Sequence, residues 1–309
     1  MTAARGVLPV ALFTLVTACG PSGRGGETAD ASGSGSGSST FDAGECKEVI
    51  DVVFVLDTSS SMDFVLTKLQ SQIADVVTAS NMVSADSHFG LIAFQDNFAL
   101  DKTGSLQNGA VHTTAMSLQT AFANYKNVYT ANNRNPGDGP TGPTTQNPIC
   151  EENSLDSLYA AANTFPWRDN ATRIVILATD DTFLEATDNY GDRDGDGLTN
   201  KTDYPREGNY PAAHTMADTV AALRAAKVRV FSFSRSTQPN ILERCGTGRR
   251  LPWASITDGW TTPYKTLAPI PNQTDGGNYD LDKVKSGTLN LATTINEVVL
   301  DSHCNPIIL

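Results

Sequence analysis

Asp57, Ser59 and Ser61 occupy alternate positions in Asp57-Thr58-Ser59-Ser60-Ser61, directly after the apolar run Val52-Val53-Phe54-Val55-Leu56. One carboxylate and two hydroxyls on a tight turn make a nest of hard oxygen donors, the set that suits Mg²⁺ or Mn²⁺. A cation held there needs oxygen from a second loop as well. Asp180 follows another apolar run, Ile174-Val175-Ile176-Leu177-Ala178. If both runs are strands of one parallel sheet, Asp180 emerges beside the Asp57 turn, because open α/β sheets bind ligands beyond the carboxyl ends of their strands.

A second constellation reads Asp192-Arg193-Asp194-Gly195-Asp196-Gly197-Leu198-Thr199-Asn200-Lys201-Thr202-Asp203. Asp192, Asp194, Asp196, Asn200 and Asp203 fall at loop positions 1, 3, 5, 9 and 12, and the Leu198 carbonyl at position 7. Gly197 at position 6 allows the sharp turn, so the spacing is that of an EF-hand-type Ca²⁺ loop. It resembles the calcium repeats of thrombospondin type 3 modules, since position 12 is Asp. A structural clamp on its own loop is the expected role.

The remaining chemistry-bearing residues do not assemble into a catalytic set. The four histidines, His88, His112, His214 and His303, lack metal-ligand or triad spacing relative to one another. Ser59 and Ser61 have no obvious base, so the reading is not an enzyme. Trp167 is expected to cap the core.

The elements that must position these residues alternate. Val52–Leu56, Phe89–Phe94, Ile174–Ala178 and Val228–Phe233 read as buried strands. Val65, Leu69, Ile73 and Val76 recur at helical spacing, as do Met216, Val220 and Leu223, and Leu291, Ile295 and Val298. Apolar strands alternating with amphipathic helices predict an α/β fold, a doubly wound and mostly parallel sheet covered on both faces. Two long polar insertions, at about 125–150 and 182–211, interrupt the pattern.

Asp57-x-Ser59-x-Ser61, followed by Met62 and a helical pattern, resembles the metal-ion-dependent adhesion site of von Willebrand factor type A domains. The resemblance covers about residues 48–304 and implies a Rossmann-like sheet. It also implies a cation with one open coordination position that a partner's carboxylate fills. Such domains usually place a Thr shortly before the next helix. Integrin β subunit I-like domains instead carry a Glu in a segment reading Pro-Glu-Gly-Gly-Phe-Asp-Ala. Here Glu152 matches that Glu, Leu155 the Phe and Asp156 the Asp, while Glu151 replaces the Pro. Thr141, Thr144 and Thr145 are alternative ligands. The resemblance implies Ser59, Ser61 and either Asp57 or Glu152 as direct ligands, with Asp180 acting directly or through water. Asp57, Glu152 and Asp180 set three negative charges against one dication, so a further positive charge nearby would help a partner's carboxylate to bind.

The N-terminus is a targeting segment. Arg5 precedes the apolar stretch Val7–Ala18, which is too short to span a bilayer comfortably. Val16-Thr17-Ala18-Cys19 resembles the lipobox of bacterial lipoproteins, which implies acylation of Cys19 after removal of residues 1–18. Residues 19–45, centred on a Gly/Ser repeat, read as a flexible tether. The domain then occupies 46–309. Of five cysteines, Cys46, Cys150, Cys245 and Cys304 remain after Cys19, an even number that suggests two disulfides with three connectivities possible. A Cys46–Cys304 bridge across the domain termini, with Cys150–Cys245, is expected.

The 309-residue chain is 39% apolar, enough for one sizeable core, and its formal charge of -12 argues against nucleic acid. The combined expectation is a lipid-anchored, extracytoplasmic module of a bacterial cell envelope that binds a protein ligand. The alternative is a structural envelope lipoprotein whose cations only stabilise the fold.

Overall fold

The computed structural model describes residues 49–144, 150–186, 188, 212–237 and 255–304. The leader, Cys19, the tether, Cys46, Thr145, Cys245 and every residue of the 192–203 loop lie outside them. Six strands form one sheet in the order β3-β2-β1-β4-β5-β6. They are β1 (Val49–Asp57), β2 (Ser87–Phe94), β3 (Phe98–Leu100), β4 (Ala171–Ala178), β5 (Val228–Ser234) and β6 (Gly277–Asp280). All neighbouring pairs are parallel except β2–β3. The doubly wound α/β fold class is the observed one.

β1 forms because its β-branched and aromatic residues tolerate burial on both faces. Successive side chains point to opposite sides. Val52, Phe54 and Leu56 pack beneath α1 (Asp63–Val83), α2 (Ala115–Asn124), α6 (Leu281–Ser286) and α7 (Leu291–Cys304). Val53 and Val55 face α3 (Ser154–Thr164) and α4 (Met216–Ala225). The described domain is therefore a three-layer sandwich whose sheet supplies both cores. In α1, Val65, Leu66, Leu69, Ile73, Val76 and Val77 are buried, the stripe that a period of 3.6 residues lays on one face.

Three features depart from the sequence expectation. First, β3 and β6 are short and polar or half-buried, so they carry no continuous apolar run. Such strands sit at sheet edges, as these do. Second, the segment from 125 is not an irregular insertion throughout. A π-helical turn over Tyr125–Tyr129 and a 3₁₀ turn over Thr130–Asn132 continue from α2. Tyr125 and Tyr129 stack at 5.0 Å and are buried against the α1 layer. Their i, i+4 spacing anchors a segment whose composition is otherwise polar. Third, Phe183 and Leu184, placed in the second insertion, are core residues. Among the described residues, no helix is long and apolar enough to cross a membrane.

Candidate metal centre

The chain passes from β1 to β2 on one side and later crosses to β4 on the other, so the strand order reverses between β1 and β4. Crevices form at such switch points. Leu56 pairs with Ala178 in register, which leaves Asp57 and the turn after Ala178 side by side at the carboxyl edge.

The first turn is fixed from three directions. Thr58 N and Thr58 Oγ1 both donate to Phe94 O, at 2.8 and 3.0 Å. Gln95 Nε2 donates to Thr58 O at 2.6 Å. Ser59 N donates to Asp57 Oδ1 at 2.7 Å, closing the turn on its own carboxylate. A 3₁₀ turn, Ser60–Met62, then leads into α1 with Met62 buried beneath it.

From this turn a row of oxygens crosses to β4. Ser59 Oγ lies 3.0 Å from Ser61 Oγ, and Ser61 Oγ donates to Asp180 Oδ1 at 3.1 Å. Thr179 Oγ1 donates to Asp57 Oδ2 at 3.1 Å. The structure thus brings Asp57, Ser59, Ser61 and Asp180 together and adds Thr179. The signal for Thr179 was its place between the strand end and Asp180.

Glu152 approaches from the third direction. Its N–H donates to Thr182 O at 3.0 Å, and the next amide, Asn153 N, donates to Gln95 O at 2.7 Å. The segment before α3 is therefore clamped between the turns after β2 and β4. Asn153 Nδ2 adds a bond to Asp96 O at 3.1 Å. These amides were invisible from sequence because their partners are backbone atoms of distant turns. Thr141 and Thr144 are exposed.

The electrostatics match three carboxyls crowded with little positive charge. Burial and the neighbouring Asp180 push the Asp57 carboxyl up to about 8. Burial, then Asp57, Asp96, Asp181 and Asp180, push Glu152 well above the usual carboxylate range. Asp180 is raised by burial, against the opposing pull of Arg235 and Lys285. The acidic groups alone do not close into a cage: among the described residues, no group of three or more His, Cys, Asp or Glu side chains is arranged to hold a metal ion. The hydroxyls of Ser59 and Ser61 make the connection between Asp57 and Asp180.

The turn after β4 has a support that sequence reasoning missed. Trp260 Nε1 donates to Asp181 O at 2.9 Å, and Thr182 Oγ1 donates to Asp258 O at 2.9 Å. Trp260 meets Phe183 edge-on at 5.3 Å. Gly259, at φ +79°, has no room for a side chain, since a Cβ there would lie 2.3 Å from Phe183 Cε1.

A mostly parallel sheet in the order 3-2-1-4-5-6, with an antiparallel edge strand and an Asp-x-Ser-x-Ser turn at its switch point, settles the architecture. It is the doubly wound α/β architecture that the resemblance to von Willebrand factor type A domains implied. No family model matches the chain, and no curated protein does. Among solved structures it is similar to an aerotolerance-related membrane protein from Bacteroides fragilis, at 13% identity and TM-score 0.42, covering 82% of this chain and 99% of that one. It is also similar to a conserved hypothetical protein, BatB, from Bacteroides thetaiotaomicron, at 14% identity and TM-score 0.41, covering 82% and 98%. A von Willebrand factor type A structure from Catenulispora acidiphila gives 13% identity and TM-score 0.43, covering 83% of this chain and 43% of that one.

Elsewhere in the fold, His214 and His112 hold structure together. His214 Nδ1 lies 2.8 Å from Asp156 Oδ1, and its ring stacks on Tyr159 at 3.5 Å. His112 is fully buried; Nδ1 lies 2.6 Å from Ser117 Oγ and Nε2 lies 3.0 Å from Asp101 Oδ2. Spacing along the chain gave no hint of this Asp101–His112–Ser117 row. Asp101 Oδ2 also receives Thr103 N and Thr103 Oγ1, and the His112 backbone exchanges two hydrogen bonds with Phe89. The row thereby ties the 101–113 hairpin to β2 and to the start of α2. Trp167 lies where expected, half-buried, donating Nε1–H to Ala161 O at 2.8 Å. Cys150 is buried.

Proposed function

We propose that this chain is a lipid-anchored, extracytoplasmic binding module that captures a protein ligand through a divalent cation. Mg²⁺ or Mn²⁺ would be held by Asp57, Ser59, Ser61 and Asp180, with Glu152 supplying further negative charge. The cation would act as a Lewis acid whose open position takes a carboxylate from the partner. The observation that carries this reading is the row from Asp57 through the Ser59 amide and the Ser59 and Ser61 hydroxyls to Asp180. The donors fit a hard cation: all are oxygen, and Asp57, raised by burial and by the neighbouring Asp180, is a carboxyl that a cation would relieve.

The same reading assigns Ca²⁺ to Asp192, Asp194, Asp196, the Leu198 carbonyl, Asn200 and Asp203, as a clamp on their loop. Acyl groups on Cys19 would hold the chain at a membrane surface of the cell envelope. Cys150–Cys245 and Cys46–Cys304 are the proposed bridges. The chain is read as non-catalytic, because the Ser59 and Ser61 hydroxyls bond to one another and to Asp180.

The test is a pull-down from envelope extract with wild type and Asp57→Ala, each with Mg²⁺ or with EDTA. A partner retained only by Mg²⁺-loaded wild type is expected. Equal capture under all four conditions would replace this reading with that of a structural lipoprotein.

A further inference from the structure

We infer that Ser117, His112 and Asp101 form a nucleophilic triad that hydrolyses esters of apolar acyl groups. The triad stands apart from the cation site. The His112 backbone pairs with Phe89 near the entry of β2, whereas Phe94, at its exit, holds the metal turn. The non-catalytic reading above was drawn from Ser59 and Ser61, whose hydroxyl bonds reach no histidine.

Nucleophile, base and orienting group meet in hydrogen-bonding geometry. Ser117 Oγ lies 2.6 Å from His112 Nδ1, and His112 Nε2 lies 3.0 Å from Asp101 Oδ2. Burial opposes ionisation of Asp101, but hydrogen bonds from His112 and Thr103 outweigh it and hold the carboxyl below the usual range. An ionised Asp101 can only accept, so His112 gives it Nε2–H and keeps the Nδ1 lone pair for the Ser117 hydroxyl. That tautomer is the one a general base needs. His112 and Asp101 are buried, while Ser117 is half-buried in the first turn of α2.

The surroundings supply the remaining parts. Thr114 caps α2, accepting Ser117 N on its side chain and Leu118 N on its carbonyl. The two amides before them, on Ala115 and Met116, are donors for a developing oxyanion at the helix end towards which Ser117 leans. Met116, beside the nucleophile, is 76% exposed; Leu106, bridged to Val111 next to His112, is 44% exposed. These apolar side chains border the triad and fit an acyl chain. Ser117 Oγ adds to the ester carbonyl as its proton passes to Nδ1, and collapse breaks the bond to the alcohol, which leaves with that proton. Water, deprotonated by the same Nδ1, then splits the acyl-serine and releases the carboxylic acid.

The full chain is treated with an alkyl fluorophosphonate and mapped by peptide mass spectrometry, and its hydrolysis of p-nitrophenyl acetate and octanoate is followed in Mg²⁺ and in EDTA. Label on Ser117, octanoate consumed faster than acetate, and equal rates in both buffers are expected. Ser117→Ala should lose the label and fall to the buffer rate, and His112→Gln should fall about 10²-fold or more. Met116→Ser should lower the preference for octanoate several-fold. Wild type that takes no label, or takes it elsewhere, overturns the inference without any variant having to fold. Turnover that survives in Ser117→Ala, or that vanishes in EDTA, overturns it as well. A row that only braces the hairpin would lower the melting temperature of Ser117→Ala in a protein that neither labels nor hydrolyses esters. None of these results bears on the pull-down that tests the cation site.

Discussion

Asp57 carries the sharpest consequence of any residue. It is 1% exposed and faces Asp180 across two serine hydroxyls. Its carboxyl, raised to about 8 from an unfolded value near 3.8, favours the protonated form in the folded, cation-free protein. The native state then binds more protons than the unfolded state between those two values, so stability falls as pH rises through that window. A bound cation reverses the trend, because it competes with the same proton. In EDTA, melting temperature should decline from about pH 4 to about pH 8, and the gain from added Mg²⁺ should grow over the same range. Asp57→Asn should flatten both profiles and, without cation, raise stability near pH 8 by about 1 kcal/mol, since a neutral amide avoids ionising a buried carboxyl there. Differential scanning fluorimetry across that range measures all three effects. A cation-free protein that gains stability towards pH 8 would contradict the repulsion argued for this centre.

At the scale of elements, close packing between layers holds the turns in register. Gly90 in β2 lies under Phe165, where an added Cβ would come within 2.3 Å of Phe165 Cε2. Gly90→Ala should therefore cost about 1–3 kcal/mol, read as a lowered urea midpoint with unchanged slope. A neutral outcome would mean that Phe165 swings aside freely. The legibility of the elements follows the same physics. β1, β2, β4 and β5 could be read from sequence because burial on both faces demands unbroken apolar runs. α1, α4 and α7 could be read because one buried face imposes a period of 3.6. β3 and β6 could not, since edge strands need no such run. The row from Asp57 to Asp180 was legible through strand ends, whereas the pull of Arg235 on Asp180 was not, because Arg235 lies far along the chain after β5. The anchoring of the second turn by Trp260 was likewise hidden, as it depends on an irregular segment meeting a backbone carbonyl.

At the largest scale, charged side chains among the described residues gather at both ends of the sheet. At the amino end, buried Asp51 holds Arg168 through Nε at 2.8 Å and through the Arg168 backbone N–H at 2.8 Å. Arg168 Nη1 continues to Asp86 Oδ2 at 2.7 Å, which links the loop before β4 to the start of β2. Arg168→Ala leaves the Asp51 carboxylate buried and unpaired, and should cost about 3–5 kcal/mol in a denaturant titration. Replacing Asp51 and Arg168 together by Asn and Met should recover a large part of that loss; an additive double variant would show that the two do not act as a pair. The carboxyl end opposite gathers Asp57, Glu152 and Asp180, so stability and the proposed capture are built at separate edges. β1 connects them. It is entered at Val49 and delivers Asp57 at its far end, paired over eight residues with β2 and over eight with β4. A pull between a tethered N-terminus and a captured partner would run along this central strand, loading both hydrogen-bond ladders in shear so that they resist together instead of unzipping one rung at a time.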